Sequence, residues 1–357
     1  MHTQNLYRDI QKRTGGEIYI GVVGPVRTGK STFIKRFMDL LVLPYMTDEA
    51  ERMRAQDELP QSSGGKTITT TEPKFIPQEA AQITLGGEVN VNVRLVDCVG
   101  FMVEGAAGHM EDDAERLVKT PWSDVEIPFT QAAEIGTKKV INDHSTIGIV
   151  VTTDGSIGEL KREAYIPPEE KTIQELKKLH KPFLVLVNSE RPHGDEAVRT
   201  AAGISEKYHV TALPVNCEQL KRDDINQILE SVLYEFPVAC VDIDLPDWMR
   251  ILDAESPIIS EILSGVRSVA PRLIKMSDCA LLDTLYADSE RLLPPADVEL
   301  EAATGSVHCC VRAKEGVFYK VLGEQCGEEI TDDLTLMRYC SQLSAAKKLN
   351  DRVGQAF

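Results

Sequence analysis

The sequence predicts an α/β architecture: a mostly parallel sheet flanked by helices, followed by a second, smaller α/β domain. Three observations carry that expectation. Apolar runs of strand length alternate with helix-length amphipathic segments as far as about Phe236. A glycine-rich turn joins the first such run to the first such helix. At 357 residues the chain also exceeds the ~250–300 residues at which a single core usually stops growing.

The elements follow in order. Ile18 to Val23 is β-branched and apolar, as a strand buried on both faces should be, and Lys30 to Val42 reads as a helix. Val89 to Val96 alternates apolar and polar residues and suits an edge or half-exposed strand. A helix at Gln131 to Asn142, a strand at Thr146 to Val151 and a helix at Glu169 to His180 come next. Strand Phe183 to Val187, helix Asp195 to Tyr208, strand Val210 to Val215 and helix Asp224 to Tyr234 complete a first domain over residues 1–237. Residues 238–357 open with Val238 to Leu245, followed by a helix over Pro257 to Ile274. Strand-like runs Val307 to Ala313 and Val317 to Leu322 and a helix over Asp332 to Val353 follow. In that last helix Leu336, Cys340 and Leu343, then Leu349 and Val353, recur at helical spacing, the pattern of a core-packing face, with a polymer contact or partner helix as the alternative.

Composition excludes several classes. Lys and Arg number 39 against 56 Asp and Glu, a formal charge of -17, so nucleic acid and anionic membranes are disfavoured partners of the bulk surface. Met1 to Ile20 has no signal-peptide core, and no run approaches the ~20 apolar residues of a membrane span. The expected location is therefore the cytoplasm. The eight cysteines include no CxxC pair and read as reduced thiols; Cys309 and Cys310 face opposite ways on a strand. Glu111, Asp112, Asp113 and Glu115 read as a solvated loop and helix start rather than a metal site, and His144 beside Ser145 lacks a triad partner.

The chemistry concentrates at the first strand-to-helix turn, Gly24-Pro25-Val26-Arg27-Thr28-Gly29-Lys30-Ser31. Its glycines let backbone N–H groups curl around phosphates while the following helix N-terminus adds partial positive charge. This is a P-loop: Lys30 is expected on the β- and γ-phosphates, and Ser31 on Mg2+. Asp97-Cys98-Val99-Gly100 follows a strand and offers a carboxylate for the metal and a backbone N–H for the γ-phosphate. Between them, Gln61 to Lys74 is rich in Ser, Gly and Thr, and Thr70 and Thr71 are the candidates to reach the metal and the terminal phosphate. The expected nucleotide contacts thus run from Gly24 to Ser31 and include Thr32, Gly100 and Asn188. Lys30, Asp97, Thr70 and Thr71 are the catalytic candidates, and Ser31, Thr70 and Asp97 the metal ligands.

Two residues set the chain apart from guanine-specific P-loop domains. After the strand ending at Val187, where Asn-Lys-x-Asp would read guanine with its carboxylate, stands Asn188-Ser189-Glu190-Arg191. Arginine only donates, so guanine selectivity is lost and ATP becomes the expected nucleotide. Phe101, directly after Gly100, cannot orient an attacking water by hydrogen bonding, which predicts slow turnover unless self-association or a partner completes the site.

Longer segments carry a resemblance. Arg13 to Gly16, Val26 to Phe33, Ala55 to Gln61, Thr70 to Phe75 and Arg94 to Gly100 are similar to the stage IV sporulation protein A family. So are Ala132 to Thr137, His144 to Gly148 and Leu233 to Pro237; the likeness spans residues 1–240 and fades beyond. It implies a translation-factor-class P-loop fold that hydrolyses ATP to drive self-assembly into a static polymer, the basement layer of the spore coat on the forespore surface. It also implies Lys30 as Walker A lysine, Asp97 as Walker B aspartate and Thr70 and Thr71 as sensor threonines. The implied partners are further copies of the chain, a small amphipathic membrane-bound sporulation protein and other coat proteins. In the family a further C-terminal region would follow the middle domain, and this sequence stops at Phe357 without it. Two other classes stay open: a nucleotide switch acting through Gln61 to Lys74, and a scaffold that binds ATP without turnover.

Overall fold

The computed structural model describes residues 3–60, 73–98, 100–104, 110–111, 114–115, 117–120 and 123–354. The chain divides into two compact units, one formed by Met1–Ala239 with Lys275–Ser277 and Glu301–Gly305, the other by Cys240–Ile274, Asp278–Leu300 and Ser306–Phe357.

In the first unit α1 (Thr3–Thr14) leads into β1 (Glu17–Val23) and α2 (Lys30–Phe37), which continues through a π-helical turn at Met38–Val42. Then come α3 (Glu49–Asp57), β2 (Lys74–Leu85), β3 (Val89–Asp97), the short pairs β4 (Met110–Glu111) with β5 (Ala114–Glu115) and β6 (Leu117–Thr120) with β7 (Ser123–Pro128), and α4 (Phe129–His144). β8 (Ile147–Thr153), α5 (Arg162–Lys178), β9 (Phe183–Asn188), α6 (Asp195–Tyr208), β10 (Ala212–Val215) and α7 (Arg222–Tyr234) complete it. The main sheet has the order β10, β9, β8, β1, β3, β2, parallel throughout except that β2 runs antiparallel to β3.

Period-two alternation along each central strand divides the side chains between two helical layers. Ile18, Ile20 and Val22 of β1, Ile147, Ile149 and Val151 of β8, and Leu184 and Leu186 of β9 pack with α1, α2 and α7. Val23, Val150, Val185 and Val187 pack on the opposite face with Val140 of α4, Ile173 of α5 and Ile204 of α6. The central strands are buried on both faces, so they are apolar nearly without interruption.

Two expectations change here, and one strand was missed. β3 is half-exposed, as expected, but not an edge strand: it lies between β1 and β2, and β2 takes the edge. Pro77 and Glu79 hide β2 in the sequence. An edge strand accommodates both, and the register slips between Ile76 and Ala81 where they fall. α5 begins at Arg162 rather than Glu169 and runs through Pro167 and Pro168.

In the second unit β11 (Cys240–Asp244), the short α8 (Asp247–Arg250) and α9 (Pro257–Val269) precede β12 (Leu292–Glu301), β13 (Ser306–Ala313), α10 (Val317–Cys326) and α11 (Asp333–Gly354). β11 pairs in parallel with β13, which separates it from β12. α9 starts at a Ser256 cap whose Oγ accepts from the Ile259 N–H, and it buries Ile258, Ile262 and Val269. Cys309 is buried and Cys310 exposed, as alternation on β13 requires. Val317–Leu322, expected as a strand, is the start of α10, capped by Gly316. α11 is a helix as expected, but Cys340, Leu343 and Leu349 do not form a core face: Leu343 and Leu349 are exposed by 50% and 64%, Cys340 is exposed, Leu336 is half-buried, and Leu334 and Met337 also face solvent, while the Val353 side chain lies outside the described residues. No helix among the described residues is long and apolar enough to cross a membrane.

Candidate nucleotide site

The site is assembled at the carboxyl ends of β1 and β3, where a parallel sheet opens toward the loops that follow its strands. β1 ends at Val23 and α2 begins at Lys30, so residues 24–29 form a turn that delivers the first N–H groups of α2 to one point. Gly29 caps that helix at φ 96°, and a Cβ there would lie 2.3 Å from Asn188 Nδ2. Both the left-handed backbone and the close approach require glycine. The buried Thr28 closes the turn by donating its Oγ1 to the Pro25 carbonyl at 3.0 Å; Arg27 is exposed at φ 62°, and Thr32 lies partly exposed in the first turn of α2.

Lys30 is buried, and its ammonium donates to the carbonyls of Pro25 at 2.6 Å and Gly24 at 3.3 Å. Burial pushes its pKa below the ordinary lysine value, with Cys98 and Asp97 acting in the other direction. Ser31 donates its hydroxyl to Asp97 Oδ2 at 2.9 Å. Burial pushes the Asp97 carboxyl above the ordinary aspartate value, opposed by Lys30 and by the Ser31 hydroxyl. In this desolvated cleft the lower local dielectric strengthens electrostatic interactions with both Lys30 and Asp97. Cys98, next to Asp97, is buried with its thiol pushed up to about 12, and its Sγ meets the Val22 carbonyl at 3.5 Å, a structural role.

Ser31 and Asp97 place a hydroxyl and a carboxylate side by side, both hard oxygen donors. Mg2+ is held by one or two protein oxygens, phosphate oxygens and water, so the pair fits that ion when a phosphate is present. No cluster of three or more His, Cys, Asp or Glu among the described residues could hold a metal by itself.

Asn188 stands at the end of β9 and is buried. Its Nδ2 donates to the Thr28 carbonyl at 2.9 Å, and its Oδ1 accepts from the Cys217 N–H at 3.0 Å. Its side chain thus ties the P-loop to the loop after β10. Beyond it the Ser189 hydroxyl accepts from the Arg191 N–H at 3.0 Å, while Asp154 accepts from the N–H and hydroxyl of Ser156. Of the expected residues the structure brings together Gly24–Ser31, Asp97, Gly100 and Asn188; Thr70 and Thr71 lie outside the described residues.

Sequence reasoning missed a buried clamp beside the loop. Arg162 forms a two-pronged pair with Glu169, Nη1 to Oε2 at 2.6 Å and Nη2 to Oε1 at 2.7 Å, and also donates to the Thr153 carbonyl at 3.0 Å. Thr152 adds its hydroxyl to Glu169 at 2.6 Å. The clamp pins α5 to the end of β8, and α5 in turn packs Tyr165 on Val26. The signal was a seven-residue spacing on one helix face, hidden by the two intervening prolines. A cavity of about 730 Å³ lies elsewhere, lined by Gln11, Lys12, Tyr45, Thr47, Gln82 and Asn90 among others and by none of the phosphate-loop residues.

The family model for the ATPase domain of stage IV sporulation protein A matches residues 1–237, and that for its middle domain matches residues 238–357. The chain belongs to the stage IV sporulation protein A family. Stage IV sporulation protein A of Clostridioides difficile is 44% identical over 99% of this chain and 72% of its own length. The protein of that name from Bacillus subtilis is 41% identical over 100% of this chain and 72% of its own length. Among solved structures, translation elongation factor SelB from Methanococcus maripaludis in its apo form aligns with a TM-score of 0.33 at 12% identity, covering 60% of this chain and 33% of that one. As a stage IV sporulation protein A family member the chain carries an ATPase domain, and with it nucleotide binding and hydrolysis.

Proposed function

We propose that the chain hydrolyses Mg2+-bound ATP at the Lys30, Ser31 and Asp97 site and that this hydrolysis drives its assembly into a structural polymer of the spore coat at the forespore surface. The convergence of Lys30, Ser31 and Asp97 on the turn between β1 and α2 carries the reading. The α2 N-terminus and Lys30 would receive the phosphates, and Ser31 and Asp97 would hold Mg2+, which would supply positive charge against the phosphates. Asn188 acts by holding the loop, and the Arg191 side chain offers no acceptor for guanine, which favours ATP.

Phe101 is 4% exposed and presents no polar side-chain atom, so turnover is slow in the isolated chain and a second copy completes the site. Thr70 and Thr71 keep their assignment to the metal and terminal phosphate. A small amphipathic membrane-bound protein and other coat proteins remain the proposed partners. Sedimentation of the purified chain with ATP, ADP or no nucleotide tests the coupling: assembly into pelletable polymer with ATP, and none with Lys30→Ala, is expected. A chain that stays soluble in every nucleotide while hydrolysing ATP contradicts it and leaves a switch.

A further inference from the structure

Only the beginning of α11 is sheltered. Thr335, Leu336 and Tyr339 are half-buried, whereas every residue from Cys340 to Asp351 is exposed. About three turns of helix therefore bury no side chain, and a helical stretch of that length is marginal in water by itself.

The face opposite the half-buried line is a heptad seam. Leu334, Met337, Ser341, Ser344 and Lys348 follow one another at spacings of three and four. The two halves of the seam differ in size: Leu334 and Met337 are 67% and 66% exposed, and the next two positions are serines. A second copy of the helix laid alongside in the same direction would set large on large and serine on serine. Turned end for end, it places Leu334 of each helix over Ser344 of the other and Met337 over Ser341, the layers of an antiparallel pair.

The charges favour the same reversal. Asp332 and Asp333 stand at the start of α11 and Lys347 and Lys348 toward its end. Asp333, whose Oδ1 accepts from the Tyr319 hydroxyl at 2.5 Å, borders the seam on the same side as Cys340 and Lys347. In the reversed pair Asp333 faces Lys347 of the second copy, twice by symmetry, and Cys340 faces Cys340 beside the two-fold axis. Arg338, on the other border, meets its own copy there, and Asp351 falls beyond the overlap. Two opposite-charge contacts thus stand against one like-charge contact, all of them at the exposed rim.

We propose that α11 is a self-association surface, pairing antiparallel with α11 of a second copy in a two-fold contact made by the same patch on both chains. Its part in a polymer rests on the self-assembly reading above, while the pairing itself requires no nucleotide.

Sedimentation velocity of the purified chain without nucleotide, over a range of concentrations, tests it. A monomer–dimer equilibrium is expected, weakened at least about tenfold by Met337→Asp, which puts a charge into the centre of the contact. Lys347→Glu should weaken it about fivefold, and Asp333→Lys in the same chain should restore it. Diamide, reduced as it takes two electrons and two protons from a pair of thiols, should link the wild type into a disulfide dimer but not Cys340→Ser. A monomer at every concentration, or a dimer indifferent to Met337→Asp, overturns the pairing; pelletable polymer formed by such a chain with ATP leaves the self-assembly reading standing without it. A dimer that needs Met337 but links equally well in Cys340→Ser overturns the antiparallel register. The expected dimer in a chain that never pellets with ATP supports the pairing and overturns the polymer reading.

Discussion

Around the phosphate loop the chain buries charge, with Lys30 8% exposed and Glu169 1% exposed, while along α11 it exposes apolar surface, with Leu334, Met337, Leu343 and Leu349 between 50% and 67% exposed. Burying Lys30 costs free energy that its two carbonyl partners offset only in part. Exposing Leu343 forgoes burial that a core position would have supplied. The first arrangement has an evident recipient in a polyanionic ligand. The second contributes little to the stability of the chain itself, so substitutions in the two regions should behave in opposite ways.

The largest contrast is expected from Glu169→Ala. It strips a guanidinium of a two-pronged carboxylate in a nearly dry site, and unfolding by denaturant should show a loss of about 3 kcal/mol. A loss below about 1 kcal/mol would mean that the clamp is solvated. Asn188→Ala is next: it leaves the buried Thr28 carbonyl and Cys217 N–H without their side-chain partner, and a loss of about 1–3 kcal/mol together with weaker nucleotide binding should follow. Unchanged nucleotide affinity would show that the P-loop holds its shape without that tie.

A pH experiment sharpens the argument about Lys30. Its pKa in the fold is lowered below the ordinary 10.5 by burial, so folding disfavours the charged form relative to the unfolded chain. The stabilisation linked to it is complete above the unfolded value and is lost as pH falls through the folded value. The stability of the wild type relative to Lys30→Met should therefore rise as pH is raised from neutral toward 10.5, measured by urea unfolding at each pH. A difference that falls over that interval would show that the ammonium is stabilised by its neighbours. The smallest effect belongs to α11, where Leu343→Gln should change the stability of the monomer by less than about 0.5 kcal/mol.

The phosphate loop was legible because its function resides in eight consecutive residues whose types are dictated by backbone conformation and charge. The central strands were legible because burial on both faces leaves an uninterrupted apolar run. β2 was not, because Pro77 and Glu79 speak against a strand and only its edge position admits them. Val317–Leu322 mixes β-branched and aromatic residues and reads as a strand, yet a helix starts there after Gly316, whose backbone at φ 81° turns the chain away from an extended course. For α11, periodicity reported an apolar spacing but could not report whether anything covers it. Arg162 and Glu169 were invisible as a pair because the helix that joins them contains two prolines.

The most direct test of the central claim is phosphate release from ATP and from GTP by the purified chain over a range of protein concentrations, with Lys30→Ala as control. The account predicts Mg2+-dependent release that is selective for ATP, rises faster than linearly with concentration and falls at least about a hundredfold in the variant. Release from GTP at the same rate would contradict the reading of Asn188 to Arg191, and release that survives in Lys30→Ala would contradict the site itself.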